Sequence, residues 1–268
     1  MARPSLRGAV VAITGASAGI GQATALAFAR EGARLAVAAR RLDRLQELAR
    51  QIESLGGECL ALALDVAAES EVRGFVAAAV ERFGRLEVMV NNAGYGVRGQ
   101  VDETPVASYR RLMEVNFLGT VYGCQAALPV MRKQGSGVII NVSSIVGHRS
   151  LPGGAAYAAS KAAQISLTES LRAELAGTGI AACSVHPIAT ATEFAEVAAR
   201  ESEGRRGGPV GPQQTAEDVA RAIVRCAKRP RPEVFPYPLS RALVWLNAVW
   251  PGAVDRWAVR TMSRTGRA

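Results

Sequence analysis

Short apolar runs without polar alternation, each trailed by a stretch at helical spacing, recur along this 268-residue chain and constrain its fold more than any other feature. Ala9 to Ile13, Leu35 to Ala39, Leu60 to Leu64, Leu86 to Val90, Val138 to Val142 and Ile180 to Val185 are such runs, with a last short one at Val234 to Phe235. Between them apolar residues fall on helical faces: Ile20, Ala23, Ala27 and Phe28, then Leu42, Leu45, Leu48, Ile52 and Leu55. Further helices are expected over Glu69 to Phe83, Ser108 to Met131, Ala155 to Leu175 and Ala216 to Lys228, the last capped by Thr215 with Asp218 three residues on. A strand that is apolar on both faces has to be covered on both, and an intervening helix returns the chain to the same end of the sheet. The pattern predicts an α/β fold: a single doubly wound domain whose seven-stranded, mainly parallel sheet carries helices on both faces. From Ala191 to Gln214 the pattern gives way to polar, glycine-rich sequence, which is expected to be a mobile loop.

Gly15, Gly19 and Gly21 lie between the first strand and its helix. A backbone without side chains there can approach a pyrophosphate held at the positive end of the helix. The spacing is GxxxGxG, so the general GxGxxG fingerprint is not met as written. A second pattern lies further on. Tyr157 and Lys161 are four apart on an expected helix and therefore share a face, and Ser144 precedes Tyr157 by thirteen residues. A free phenol titrates near pH 10, and a neighbouring ammonium favours its phenolate, so the pair is expected to form an acid-base device.

Taken together, Thr14-Gly-Ala-Ser-Ala-Gly-Ile-Gly21, Asp65-Val66, Asn91-Asn-Ala-Gly94, Asn116, Ser143-Ser144 and Tyr157-Ala-Ala-Ser-Lys161 resemble, in order and spacing, the short-chain dehydrogenase/reductases. The resemblance runs from Gly8 to roughly Thr192 and implies a Rossmann-type dinucleotide-binding domain. By resemblance, Tyr157 is the general acid-base, Ser144 holds the substrate oxygen, Lys161 binds the nicotinamide ribose and lowers the tyrosine pKa, and Asn116 anchors a water in the proton relay. Gly15, Ser17, Gly19, Ile20 and Gly21 would cradle the cofactor, Asn92, Ala93 and Gly94 would lie against it, and Asp65, with Val66 beside it, would contact adenine. Pro187 and Thr192 would pass the nicotinamide carboxamide, although Ile188 stands where the family usually has glycine. His186 reads as structural, while His148 and Arg149 are candidates for the substrate pocket. Phenol and hydroxyl suffice to protonate and orient a carbonyl oxygen as hydride moves to its carbon, so the chemistry calls for no metal.

The second strand ends Ala38-Ala39-Arg40-Arg41, with no acid until Asp43. A carboxylate there would accept from a ribose 2′-hydroxyl, whereas arginine favours a 2′-phosphate. NADP(H) is therefore expected over NAD(H), with Arg40 the first contact and Arg41 the next. The implied function is interconversion of an alcohol and a ketone or aldehyde, on a hydrophobic substrate; the alternative is a non-catalytic dinucleotide-binding scaffold.

The formal charge is +9, and all the basic residues except Lys133, Lys161 and Lys228 are arginine. They are spread along the chain without interleaved aromatics, which points to a solvated surface and not to a nucleic-acid partner. The four cysteines form no zinc-type cluster, and the amino-terminal stretch does not read as a signal peptide, so a cytoplasmic location is expected. Residues 1–238 read as the catalytic domain and 239–268 as an extension that holds Trp245, Trp250 and Trp257. Three roles stay open for the extension: packing on the core or a neighbouring subunit, a substrate lid, or contact with a membrane surface. The resemblance implies a homodimer or homotetramer.

Overall fold

The structure is a computed structural model and describes residues 5–202 and 211–264. Seven parallel strands form its central sheet: β1 (Val10–Thr14), β2 (Arg34–Ala39), β3 (Cys59–Ala63), β4 (Val88–Asn91), β5 (Gly137–Val142), β6 (Ile180–Val185) and β9 (Glu233–Val234), in the order β3-β2-β1-β4-β5-β6-β9. After β1 the chain moves outward to β2 and β3, then returns to lay β4 on the other side of β1. That reversal leaves a crevice beyond the carboxyl ends of β1 and β4, where ligands bind in open α/β sheets.

The period-two alternation of the strands sorts their side chains between two cores. Val11 and Ile13 of β1, with Leu35 and Val37 of β2, face α1 (Gly19–Arg30), α2 (Leu42–Ser54) and α8 (Ala216–Lys228), packing with Phe28, Leu45, Leu48, Ile52 and Ile223. Val10 and Ala12, with Ala36 and Ala38, face α3 (Glu69–Phe83), α5 (Gly119–Gln134) and α6 (Ala155–Glu174), where Phe75, Val76, Met131 and Leu171 complete the second core. Each fully buried valine, leucine or isoleucine contributes about 1.5–3 kcal/mol by leaving water. At the start of α8, Thr215 Oγ1 accepts from the Asp218 amide at 3.1 Å and Asp218 Oδ2 accepts from the Thr215 amide at 3.1 Å, a full capping box.

Three local features differ from the sequence reading. The long helix begins earlier, as α4 (Val106–Leu112), and reaches α5 through a π-helical turn at Met113–Leu118. Wider π turns inside helices concentrate at functional positions, and this one carries Asn116. The stretch expected to be irregular forms a short parallel pair, β7 (Thr190–Ala191) and β8 (Gln214–Thr215), and a helix, α7 (Phe194–Glu201). In the sequence, the helix-favouring FAEVAARE segment is masked by the glycine-rich residues that follow it. Residues 203–210 of the expected loop lie outside the described residues. The last strand lies one residue earlier than expected.

The extension forms two helices, α9 (Leu239–Val249) and α10 (Pro251–Arg264), with Pro251 at the first position of α10, where a missing N–H costs nothing. Val254 and Ala258 are buried, whereas Trp245, Val249 and Trp250 are 64%, 81% and 61% exposed. Among the described residues no helix is long and apolar enough to cross a membrane.

Candidate active site

Because the strands are parallel, the segments that follow β1, β4, β5 and β6 all emerge at one edge. The glycine turn after β1 fits a dinucleotide on its own geometry. A Cβ on Gly15 would lie 2.7 Å from the Ala93 Cα, one on Gly19 2.9 Å from Thr192 Cγ2, and one on Gly21 2.2 Å from the Gly15 carbonyl oxygen. Gly15 and Gly19 also have φ of +68° and +55°, a region that L side chains rarely adopt. The helix α1 begins at Gly19 with no side-chain cap from Ala18 and no acid in its first turn, so its amides and positive end are offered to an anion. Ser17 lies in the turn and Ile20 in the first turn of α1.

Asn92 braces this turn. Its Nδ2 donates to the carbonyls of Thr14 and Gly15 at 3.0 and 3.1 Å, while the amides of Asn92 and Ala93 donate to Thr14 Oγ1 at 3.1 and 3.2 Å. A Cβ on Gly94 would lie 3.0 Å from Asn116 Oδ1 and 3.4 Å from Lys161 Nζ, so the segment after β4 runs directly from the glycine turn to the Tyr157–Lys161 helix. Thr192, far along the chain, closes on Gly19. Pro187 accepts at its carbonyl from Ser144 Oγ at 3.3 Å and from the Ile145 amide at 3.0 Å, which fixes the turn after β5. Asp65 accepts from the Ala67 amide and from Arg111, both at 3.0 Å, and Val66 is buried against Gly119.

Tyr157 and Lys161 share one face of α6, with Gln164 a turn further. Tyr157 faces Ser144, and the Phe194 ring at the start of α7 lies 5.3 Å from the tyrosine ring. Lys161 is buried; its Nζ donates to the Val142 carbonyl and to Gln164 Oε1, both at 2.9 Å, and stands 5.7 Å from the centre of the Tyr157 ring. Burial pushes the Tyr157 phenol above its ordinary value, against a downward pull from Ser144. Burial also pushes Lys161 down to about 7. In this low-dielectric setting desolvation dominates the shift of each group.

Asn116 is fully buried and heavily committed. Its Nδ2 donates to the Tyr95 carbonyl and Ser160 Oγ at 3.0 and 2.9 Å, and its Oδ1 accepts from the Tyr95 amide at 3.0 Å. Its main-chain carbonyl accepts from Thr120 Oγ1 at 2.8 Å and from Gln164 Nε2 at 2.7 Å. In this arrangement Asn116 ties α6 to the segment after β4.

At the far end of the crevice Arg40 is exposed, and Arg41 donates from Nε and Nη2 to Ser17 Oγ at 3.3 and 3.2 Å and from Nη1 to Glu193 at 2.9 Å. Glu193 also pairs with Arg44, and the two arginines hold its carboxyl below the usual carboxylate range. His148 and Arg149 are drawn toward later segments: His148 packs on His186 and Phe235, and Arg149 pairs with Asp255 of α10 at 2.5 Å. Gln164 and Glu193 were not singled out from the sequence. Gln164 carried a signal, three residues beyond Lys161 on the same helix face, whereas nothing local marks Glu193 as the ion-pair partner of a helix about 150 residues away.

The sequence profile of the short chain dehydrogenase family matches residues 9–203. An uncharacterized oxidoreductase of Staphylococcus saprophyticus is 38% identical over 190 residues, covering 70% of this chain and 76% of its own. A short chain dehydrogenase/reductase from Burkholderia phymatum, solved in complex with NAD, superposes with a TM-score of 0.84 at 27% identity, covering 91% of this chain and 94% of its own. An alcohol dehydrogenase from the archaeon Thermococcus sibiricus, complexed with 5-hydroxy-NADP, superposes at 0.74 with 31% identity, covering 85% and 95%. The profile match over most of the chain, the parallel sheet with its switch point and the glycine turn agree, and the chain belongs to the short-chain dehydrogenase/reductase family of oxidoreductases.

Proposed function

We propose that the protein is an NADP(H)-dependent oxidoreductase that interconverts an alcohol and a ketone or aldehyde on a hydrophobic substrate. The observation that carries the reading is the meeting of Ser144, Tyr157, Lys161 and Gly94 at the edge of the sheet where the glycine turn opens. The residues of that turn would hold a nicotinamide dinucleotide, which when bound would supply or accept the hydride. Tyr157 gives the proton to the carbonyl oxygen in reduction and takes it back in oxidation, and Ser144 Oγ orients that oxygen. Lys161, with a pKa of about 7, can restore the tyrosine proton near neutral pH. Tyr157 packs against a buried apolar cluster of Val97, Leu112 and Ala156 with Tyr95 and Tyr109, which holds its ring in place.

For the cofactor, the exposed Arg40 and the Arg41 side chain lying on Ser17 support a 2′-phosphate site. Glu193 already occupies Arg41, so the phosphate would have to draw that arginine away from it. The exposed apolar face of α9 and α10 supports the reading of the extension as a contact surface for another subunit. The test is to measure kcat/KM with NADPH and with NADH across a panel of bulky apolar and small polar carbonyls. Turnover favouring NADPH and bulky apolar carbonyls is expected; a large preference for NADH would overturn the cofactor reading.

A further inference from the structure

Three side chains outside the acid-base set converge on one point. His148 Nε2 lies 3.5 Å from His186 Nε2, His148 Nε2 lies 3.5 Å from Glu233 Oε1, and His186 Nε2 lies 3.4 Å from the same oxygen. These separations are too long for good hydrogen bonds, which cluster near 2.9 Å for nitrogen donors. They are the separations of ligand atoms around a small cation. A tetrahedrally disposed cation just off the plane of a triangle with sides near 3.5 Å is about 2.1 Å from each corner, the length of a zinc–imidazole or zinc–carboxylate bond.

The ligand types agree with the spacing. Two imidazoles with one carboxylate is a donor set that zinc accepts while keeping a further position open. Each ligand stands on a fixed element: His186 directly after β6, with its amide donating to the Val234 carbonyl at 2.8 Å; Glu233 in β9; and His148 on the turn after Ser144, its amide donating to the Ile145 carbonyl at 3.0 Å. The Phe235 ring packs on both imidazoles, 5.8 Å from His148 and 4.8 Å from His186, and holds their orientation. His186 is fully buried, while the Glu233 side chain is 34% exposed, so the cluster opens to solvent on the carboxylate side. Among the described residues this is the one group of histidine, cysteine and acidic side chains with its donor atoms so gathered.

We propose that His148, His186 and Glu233 form a binding site for a divalent cation of the zinc type. Its place in the fold gives it a consequence for the acid-base site. His186 immediately precedes Pro187, whose carbonyl accepts from Ser144 Oγ, and His148 follows Ser144 by four residues. A cation there cross-links the turn after β5 to β6 and β9 and stiffens the segment that positions Ser144.

The experiment uses the full chain, stripped with chelator and dialysed, then titrated with zinc chloride by calorimetry and thermal denaturation. About one equivalent should bind saturably, with Tm rising about 5–10 °C at a hundredfold excess over the dissociation constant. His148→Ala and Glu233→Gln should abolish saturable uptake while leaving the far-ultraviolet circular dichroism unchanged. Absence of saturable binding in the stripped parent, or binding undiminished in both variants, would overturn the proposal. Should the variants fail to fold, cobalt(II) titration of the parent decides: visible tetrahedral bands without a thiolate charge-transfer band support the site. A thiolate band, placing the metal at cysteine, or no visible band overturns it.

Discussion

Gln164→Leu is the perturbation that probes most directly how the fold holds the buried Lys161. Gln164 is fully buried; its Oε1 accepts from Lys161 Nζ at 2.9 Å, and its Nε2 donates to the Asn116 carbonyl at 2.7 Å and to Thr120 Oγ1 at 2.6 Å. Leucine fills a similar volume but removes all three. A hydrogen bond to a charged group is worth about 1.5–3 kcal/mol and a neutral one about 0.5–1.5 kcal/mol. With the gain from burying leucine set against them, the net loss of stability should be about 2–4 kcal/mol. Lys161 would keep only the Val142 carbonyl as acceptor, so its charged form would become still less favourable and its pKa would fall below about 7. Gln164→Glu acts in the other sense, because a carboxylate beside the ammonium favours the charged form. Urea denaturation gives the stability, and the pH dependence of kcat gives the titration. The two variants should move the lysine limb of the pH–rate profile in opposite directions. A Gln164→Leu protein within about 0.5 kcal/mol of the parent, with an unmoved profile, would refute the reasoning.

Other consequences follow from the same geometry. Because the Lys161 pKa is depressed from 10.5 to about 7, the folded state is penalised wherever the lysine is charged in the unfolded chain; the penalty is complete below about pH 7 and is relieved as pH rises toward 10.5. The parent should therefore gain on Lys161→Met between pH 7 and 9 by up to about 1.4 kcal/mol per pH unit in denaturant titrations, and parallel curves would contradict this. A Cβ on Gly21 would press on the Gly15 carbonyl at 2.2 Å and on Asn92 Nδ2 at 2.6 Å, so Gly21→Ala should cost about 1–3 kcal/mol in denaturation and weaken NADPH binding in a fluorescence titration. Arg40→Ala combined with Arg41→Ala should lower kcat/KM for NADPH by about a hundredfold or more while leaving NADH within a few-fold, each charge-assisted contact being worth about 1.5–3 kcal/mol.

The sheet was legible because its strands are buried on both faces: runs such as Val10–Thr14 and Arg34–Ala39 have no polar alternation to confuse with helix, and their order along the chain fixes the parallel connections. Tyr157 and Lys161 were legible because helical spacing alone puts them on one face. Their pKa directions were not, since these depend on how much water the packed fold removes. The helix α7 was lost to its glycine-rich neighbourhood, and the π turn at Asn116 leaves no mark in a pattern that is helical on both sides. Contacts between distant segments were beyond reach for the same reason. Glu193 meets Arg41 across 152 positions, and His148, His186 and Glu233 meet only because β6 and β9 are neighbours in the sheet.

Tyr157→Phe tests the central claim most directly, since phenylalanine keeps the ring that packs on Phe194 and removes only the hydroxyl that meets Ser144. Turnover of the best carbonyl found in the panel should fall by about 10²–10⁴-fold, the usual worth of a positioned proton donor, while NADPH affinity and the denaturation midpoint stay near those of the parent. A variant that binds NADPH normally and turns over within a few-fold of the parent would contradict the assignment of Tyr157 as the residue that moves the proton.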